Sequence, residues 1–138
     1  MTRFENWPSL LSRFASDWQG KKHVWGKSDC SIMCLDWVER ATGQAVGDDV
    51  AGSYDSAAGA LQFLSSLGYA DLPEMVTDRL KTESKEGNFL QRGDIALVDC
   101  PAVGDGLGVV LGTQILIMDV KQGGAVIPLT RSLLGWKV

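Results

Sequence analysis

The stretch of sequence that decides the fold is HVWGKSDCSIMCLDWVERATG, residues 23–43. It predicts a helix over about Cys30–Thr42, because Ser28 or Asp29 can cap the amino end and Gly43 supplies the usual stop. The apolar residues of this helix recur at i, i+4, i+7 and i+11, and they are Cys30, Cys34, Trp37 and Ala41. This spacing places them on one stripe, which we expect to face the core.

Two interpretations of Cys30 follow from its position in the first turn of this helix. Free backbone N–H groups and the positive end of the helix dipole favour a thiolate over a thiol there. Alternatively, Cys30 simply fills the core beside Cys34. The chain has three cysteines, an odd number without pairing-like spacing, which favours folding in a reducing compartment.

The regions around this helix predict an α+β fold in a single domain, 1–138. Further helices are expected from Pro8 to Trp18, with Asn6 as cap, from Ser56 to Leu67 and from Pro73 to Leu80, and residues 81–91 are expected to be a surface loop. The period then changes to that of short strands, predicted over Asp94–Asp99, Leu107–Leu111, Gln114–Val120, Ala125–Leu129 and Leu134–Val138. Helices first and a meandering sheet second predict an antiparallel sheet of about five strands.

Composition argues against several classes of function. The net charge is −4 and the lysines and arginines are scattered, so no electrostatic footprint for nucleic acid is present. No apolar run approaches the roughly 20 residues of a membrane span, and residues 1–10 lack the apolar region of a signal peptide. We therefore expect a protein that is made and kept soluble.

Three blocks of the sequence resemble the NlpC-type papain-like cysteine peptidases. They are Trp25-Gly26 with Ser28-Asp29-Cys30-Ser31, then Arg92-Gly93-Asp94-Ile95-Ala96-Leu97, and Leu107-Gly108-Val109-Val110-Leu111-Gly112. The resemblance spans roughly residues 21–128. It implies a papain-like fold in which Cys30, at the start of the central helix, holds the nucleophile position.

More narrowly, the chain resembles a group of small proteins of tailed bacteriophages. The shared features are a His-x-Trp-Gly-x-x-Asp-Cys segment, residues 23–30 here, and a Trp-Lys-Val ending, residues 136–138. This resemblance implies synthesis in the cytoplasm of a bacterial host and a place in the virion tail. The implied partners are other tail or tail-tip proteins, with peptidoglycan as a further candidate.

The catalytic partners that the NlpC-type resemblance implies are largely missing. The family's base is a histidine just ahead of a Val-Gly-Ile-like strand, and the corresponding position here is Gly106. The orienting residue falls at Met118 or Asp119, and only Asp119 could serve. Cysteine hydrolases need a group that takes the thiol proton and later protonates the leaving amine, which glycine cannot do.

The single histidine, His23, offers one replacement for that base. It stands where the family usually has a tyrosine lining the site, and from there it could approach Cys30 and form a thiolate–imidazolium pair. The alternative is a partly exposed loop histidine that packs on Trp25.

No cofactor or metal is expected. His23, Cys30 and Cys34 lack metal-ligand spacing, Cys100 is assigned to a distant loop, and Gly104-Asp105-Gly106 is interpreted as a tight turn. We favour a structural or assembly protein of the phage tail with a degenerate site. The alternative is an active cysteine peptidase or amidase that cleaves peptidoglycan peptide bonds, with Cys30 as nucleophile and His23 as base. A third possibility is that the same groove binds glycan or peptide without cleaving it.

Overall fold

The protein is described from a computed structural model over residues 1–100 and 104–138. Four helices precede an antiparallel sheet: α1 Trp7–Trp18, α2 Cys30–Thr42, α3 Ala57–Ser66 and α4 Leu72–Leu80. The strands are β1 Lys85–Glu86, β2 Ile95–Cys100, β3 Gly104–Val110, β4 Gln114–Asp119, β5 Gly123–Pro128 and β6 Ser132–Trp136, in the spatial order β1-β6-β2-β3-β4-β5. The α+β architecture with an antiparallel sheet is therefore confirmed.

Helix α2 has the bounds and the buried face that its sequence predicts. The Asp29 side chain accepts a hydrogen bond from the Ile32 N–H at 3.1 Å, and Gly43 ends the helix in the left-handed region with φ +78°. Of the predicted stripe, Cys34, Trp37 and Ala41 are at most 2% exposed, whereas Cys30 is half-buried. Helix α2 therefore packs on the sheet and holds Cys30 at its edge.

Each face of the sheet buries its own apolar cluster. Alternation along the strands directs Leu107, Val109, Leu116 and Met118 toward the helices, where they join Trp37. The intervening residues form a second cluster on the opposite face: Leu90, Ala96, Val98, Val110, Ile115 and Ile117. The period of two in the sequence thus decides which residues of the sheet can reach Cys30.

Two sequence interpretations are wrong in detail. Gly104-Asp105-Gly106 is not a tight turn, because these residues begin β3 and pair with residues 98–100 of β2. Backbone hydrogen bonds form the ladder, so a glycine-rich segment can be a strand although its composition is typical of a turn. Cys100 likewise is not in a loop but is the last residue of β2.

The segment 81–91 contains a sixth strand as well as loop. Lys85 and Glu86 pair with Gly135 and Leu134 of β6. Both strand residues are exposed, so they leave no hydrophobic alternation in the sequence, and this two-residue edge strand escaped prediction.

The Arg-Gly-Asp segment, residues 92–94, stabilises the fold just ahead of β2. The Asp94 carboxylate is 1% exposed and forms ion pairs with Arg3 at 3.0 Å and Lys137 at 2.8 Å. It also accepts hydrogen bonds from the backbone N–H groups of Gln91 and Val138. This carboxylate therefore ties residues near both ends of the sequence to the start of β2.

Within the residues that the structure describes, no helix is long and apolar enough to cross a membrane.

Candidate active site

Cys30 is the first residue of α2 and lies against β3. The backbone of Leu107 and the side chain of Ser31 both approach its thiol closely enough to lower its pKa. Two elements far apart in sequence thus meet at the sulfur, in the arrangement that the motif resemblance implies for a nucleophile position.

Burial decides the protonation state of Cys30. Loss of solvent raises the pKa of its thiol to about 11, and the nearby charges of Asp29 and Cys100 act in the same direction. The Leu107 backbone and the Ser31 side chain lower this pKa and offset only part of the increase. The sequence argument from the helix dipole favoured a thiolate, but desolvation is the larger effect here. Cys30 is therefore a protonated thiol at neutral pH.

The neighbouring Asp29 carboxylate is buried and occupied by three donors. It accepts hydrogen bonds from the Gly26 N–H at 2.9 Å, the Ile32 N–H at 3.1 Å and the Tyr54 hydroxyl at 2.6 Å. Burial, together with the hydrogen bond to Asp29, raises the pKa of Tyr54 far above its usual value. Tyr54 thus remains a hydrogen-bond donor, and Asp29 serves as a structural clamp rather than as a free base.

A mostly apolar pocket of about 110 Å³ lies beside Cys30. Its apolar walls come from α3, from the start of α4 and from the loops before α2 and α3: Trp25, Val50, Ala57, Ala60, Leu61, Phe63, Leu64, Leu72 and Met75. Its polar lining consists of Asp29, Cys30, Ser31, Tyr54 and Asp105. This pocket is large enough for a small side chain or a few solvent molecules.

Tyr54 and Asp105 are the site residues that sequence reasoning missed. Tyr54 lies in a loop with no motif around it, and only the folded chain places its hydroxyl on Asp29. Asp105 was assigned to a turn, but its place in β3 puts it on the lining of the Cys30 pocket. The alternation of β3, with Leu107 and Val109 facing the helices, is the signal that could have found Asp105.

His23 packs on Trp25. The two ring centroids are 4.7 Å apart and the rings meet edge to face at 79°. Trp25 lines the Cys30 pocket, while His23 is absent from that lining among the described residues. Of the two roles that the sequence left open, the structure therefore has His23 in the packing role.

Asp119 lies on the other side of β4 from the Cys30 pocket. Strand alternation directs Met118 toward the helices and Asp119 toward a separate pocket that it shares with Cys100 and Arg131. The Asp119 carboxylate accepts backbone hydrogen bonds from Lys121 at 2.9 Å and Gln122 at 2.8 Å, which lower its pKa. These two hydrogen bonds hold the Asp119 side chain in the turn that follows β4.

Gly106, where the motif resemblance implies a histidine, lies against the Cys100 side chain. A Cβ built on Gly106 would come within 2.6 Å of the Cys100 sulfur and 3.7 Å of Val98. A histidine could enter only if Cys100 moved. Burial also raises the pKa of Cys100, which keeps this second thiol protonated at neutral pH.

The pocket beside Cys30 can hold a small group, and no histidine of the described residues is part of its lining. Besides Cys30, its ionisable residues are Asp29, Tyr54 and Asp105. The Asp29 carboxylate accepts a hydrogen bond from Tyr54, the raised pKa of Tyr54 keeps its phenol protonated, and Asp105 is exposed. Among the described residues there is no cluster of three His, Cys, Asp or Glu side chains that could hold a metal ion.

Comparison with known proteins gives a family and a fold. The model of the family described as "Domain of unknown function (DUF6950)" matches residues 2–138, so the chain belongs to this family. No curated protein matches its sequence.

Among solved structures, the NlpC/p60 domain of the peptidoglycan hydrolase SagA is 14% identical over 95% of this chain and 98% of its own, with a TM-score of 0.62. RipD from Mycobacterium tuberculosis, described as a non-catalytic NlpC/p60 domain protein adapted to peptidoglycan binding, is 17% identical over 98% and 99%, with a TM-score of 0.46. The likeness to the SagA domain shows that the chain has the NlpC/p60 fold.

Proposed function

We propose that this member of the DUF6950 family is a non-hydrolytic protein with the NlpC/p60 fold and a structural or assembly role in the tail of a tailed bacteriophage. One observation carries the non-hydrolytic part. The only histidine of the chain packs on Trp25 outside the Cys30 pocket, while burial keeps the Cys30 thiol protonated. Loss of a general base typically lowers a rate by 10²–10⁴-fold.

The tail assignment rests on the sequence. The His-x-Trp-Gly-x-x-Asp-Cys segment and the Trp-Lys-Val ending support it. Under this proposal the chain is made in the bacterial cytoplasm and carried in the virion, where its partners are other tail or tail-tip proteins. A structural role would depend on the fold around Cys30 and would not require catalysis at this residue.

Catalysis is the competing function, and it would need a rearrangement. His23 would have to leave Trp25 and reach Cys30 as base. Asp119, whose pKa is lowered mainly by backbone N–H groups and in part by the nearby His23, would be its orienting partner. The resulting enzyme would cleave peptide bonds of peptidoglycan, with Cys30 as nucleophile. Binding of peptidoglycan without cleavage would use the same pocket and no base.

The pKa of Cys30 separates these functions. We would replace Cys34 and Cys100 by alanine and follow the NMR chemical shift of the Cys30 Cβ against pH in protein labelled at cysteine. The expected midpoint is near the value of about 11 set by burial, with no change in a matched His23→Ala variant. A midpoint below the usual value of about 8.5 that rises on removal of His23 would instead indicate an activated nucleophile.

Two further measurements test the remaining parts of the proposal. Purified peptidoglycan fragments should stay intact with both the unaltered chain and Cys30→Ser, and cleavage that depends on Cys30 would overturn the non-hydrolytic role. The tail role predicts that the chain co-purifies with assembled tails of the phage that encodes it, and that Cys30→Ser is incorporated equally well. Absence from purified tails would refute that role.

A further inference from the structure

Helix α3 is weakly attached to the rest of the fold. Leu64 is its one buried residue, at 8% exposure, among ten helical residues. In the described part of the chain, the hydrogen bonds of this helix and its caps all fall between Ser56 and Tyr69. A helix with so few buried side chains and no polar link to its surroundings belongs to the low-stability end of a structure.

The same helix forms one wall of the pocket at Cys30. Five of its residues line the pocket: Ala57, Ala60, Leu61, Phe63 and Leu64. The Leu61 side chain remains 69% exposed. The wall therefore faces a void of about 110 Å³ instead of interlocking with α2, and dispersion attraction across a gap is weaker than in a packed core.

Glycines flank α3 on both sides. Gly52 has φ +80° and Gly68 has φ +88°, and a Cβ at either position would meet nothing within 4 Å. Gly68 is thus free of steric restraint from neighbours, and glycine can cross between regions of φ,ψ space at little cost. Gly52, by contrast, donates its N–H to the Gly26 carbonyl at 2.8 Å. The movable segment therefore begins after Tyr54, at the exposed residues 55–56, and ends at Gly68.

One aromatic contact holds α3 to the Cys30 site. The Phe63 ring lies 5.9 Å from the Tyr54 ring, centroid to centroid. The Tyr54 hydroxyl in turn donates to Asp29, the cap of α2. Tyr54 thus connects a movable element to a fixed one.

We infer that α3 is a hinged cover over Cys30, which opens about residues 55–56 and Gly68 by local undocking of Leu64 and Phe63 while Tyr54, α2 and the sheet stay in place. Opening exposes the Cys30 sulfur and the pocket beside it. This inference goes beyond the proposed function, because the cover would open whether or not the site is catalytic. The experiment that tests it measures how fast a reagent reaches the Cys30 sulfur and does not depend on any enzymatic activity.

The urea dependence of alkylation distinguishes local opening from global unfolding. One chain carries Cys34→Ala and Cys100→Ala and reports on Cys30, and a second carries Cys30→Ala and Cys100→Ala and reports on Cys34. Iodoacetamide is applied at urea concentrations below the unfolding transition. Since the slope with urea scales with the surface exposed, local opening gives Cys30 a slope well below that of global unfolding. Cys34, 2% exposed in the same helix, should follow the global slope. Equal slopes for the two thiols would overturn the cover.

Two leucines, one in α3 and one at its C-cap, provide a matched pair that excludes direct attack on the closed state. Leu64→Ala weakens the closed form only, so Cys30 alkylation without urea should rise about tenfold or more. Leu67→Ala changes an exposed side chain at the C-cap of the same helix, outside the lining of the Cys30 pocket, and should alter the rate less than twofold. If Leu64→Ala leaves the Cys30 rate unchanged, the reagent reaches the sulfur without opening and the inference is wrong. A low pKa of Cys30 combined with a small urea slope would reject the non-hydrolytic proposal and keep the cover.

Discussion

Helices α2 and α3 border the same pocket but differ in how they are held. Eight of the 13 residues of α2 are buried, against one of the ten residues of α3. Helix α2 is also clamped by Asp29 at its cap and by a hydrogen bond of 2.7 Å from the Trp37 indole N–H to the Gly93 carbonyl. The difference indicates that the fold fixes the position of Cys30 strongly and covers it weakly.

The largest expected effect tests the strong side of this comparison. Trp37 is fully buried and bonded to the segment ahead of β2. Trp37→Ala should lower the free energy of unfolding by about 3–5 kcal/mol, measured by urea denaturation, because it leaves a cavity between α2 and the sheet. A loss below about 1 kcal/mol would mean that α2 does not anchor the site.

A smaller effect is expected where the two helices are linked. Tyr54→Phe removes the hydroxyl that donates to the buried Asp29 and should cost about 1.5 kcal/mol, because a charged acceptor loses one of its three donors. Tyr69→Phe is the matched control, since its hydroxyl donates to the exposed Asp78, and it should cost less than about 0.5 kcal/mol. If urea denaturation gave the same loss of unfolding free energy for both variants, the Tyr54–Asp29 hydrogen bond would stabilise the fold no more than the exposed one does.

The smallest effect concerns the loop ahead of α3. Arg79 of α4 forms two hydrogen bonds with Asp49, at 2.6 and 2.8 Å, which lower the pKa of this carboxyl. Because the folded pKa is depressed, the pair stabilises above the unfolded value of about 3.9 and the benefit is lost as pH falls through the folded pKa.

The matched variants for this pair are Asp49→Asn and Asp48→Asn. At neutral pH, Asp49→Asn should cost less than about 1 kcal/mol, since the pair is largely exposed. The difference from the unaltered chain should disappear in acid, while Asp48→Asn, which removes the neighbouring charge and keeps both hydrogen bonds between Arg79 and Asp49, should cost less at neutral pH. A cost for Asp49→Asn that persists in acid would assign the effect to something other than the ion pair.

The sequence was most informative where a single element carries its own signals. The cap, apolar period and glycine stop of α2 predicted Cys30–Thr42, and the structure has these bounds. The strand β1 had no such signal, because its two residues are exposed and pair only through the backbone. Residues 104–106 carried a misleading signal, since glycine is typical of turns and a strand ladder does not need side chains.

The residues of the candidate site likewise fall into those that the sequence indicated and those that it did not. The motif resemblance indicated Cys30, and the sequence contains a single histidine, so the lack of a histidine at position 106 was visible without the structure. Tyr54 and Asp105 could not be found, since their places beside Cys30 depend on the docking of a loop and the register of β3.

By itself, then, the sequence determined the order of the four helices and of the five longer strands, the buried face of α2 and the absence of a histidine at position 106, because these depend on local propensity and residue identity. Only the tertiary structure decided the protonation of Cys30, the contact of His23 with Trp25 and the cover formed by α3. Desolvation and packing arise between residues far apart in the chain, and their magnitudes depend on distances that a linear pattern does not contain.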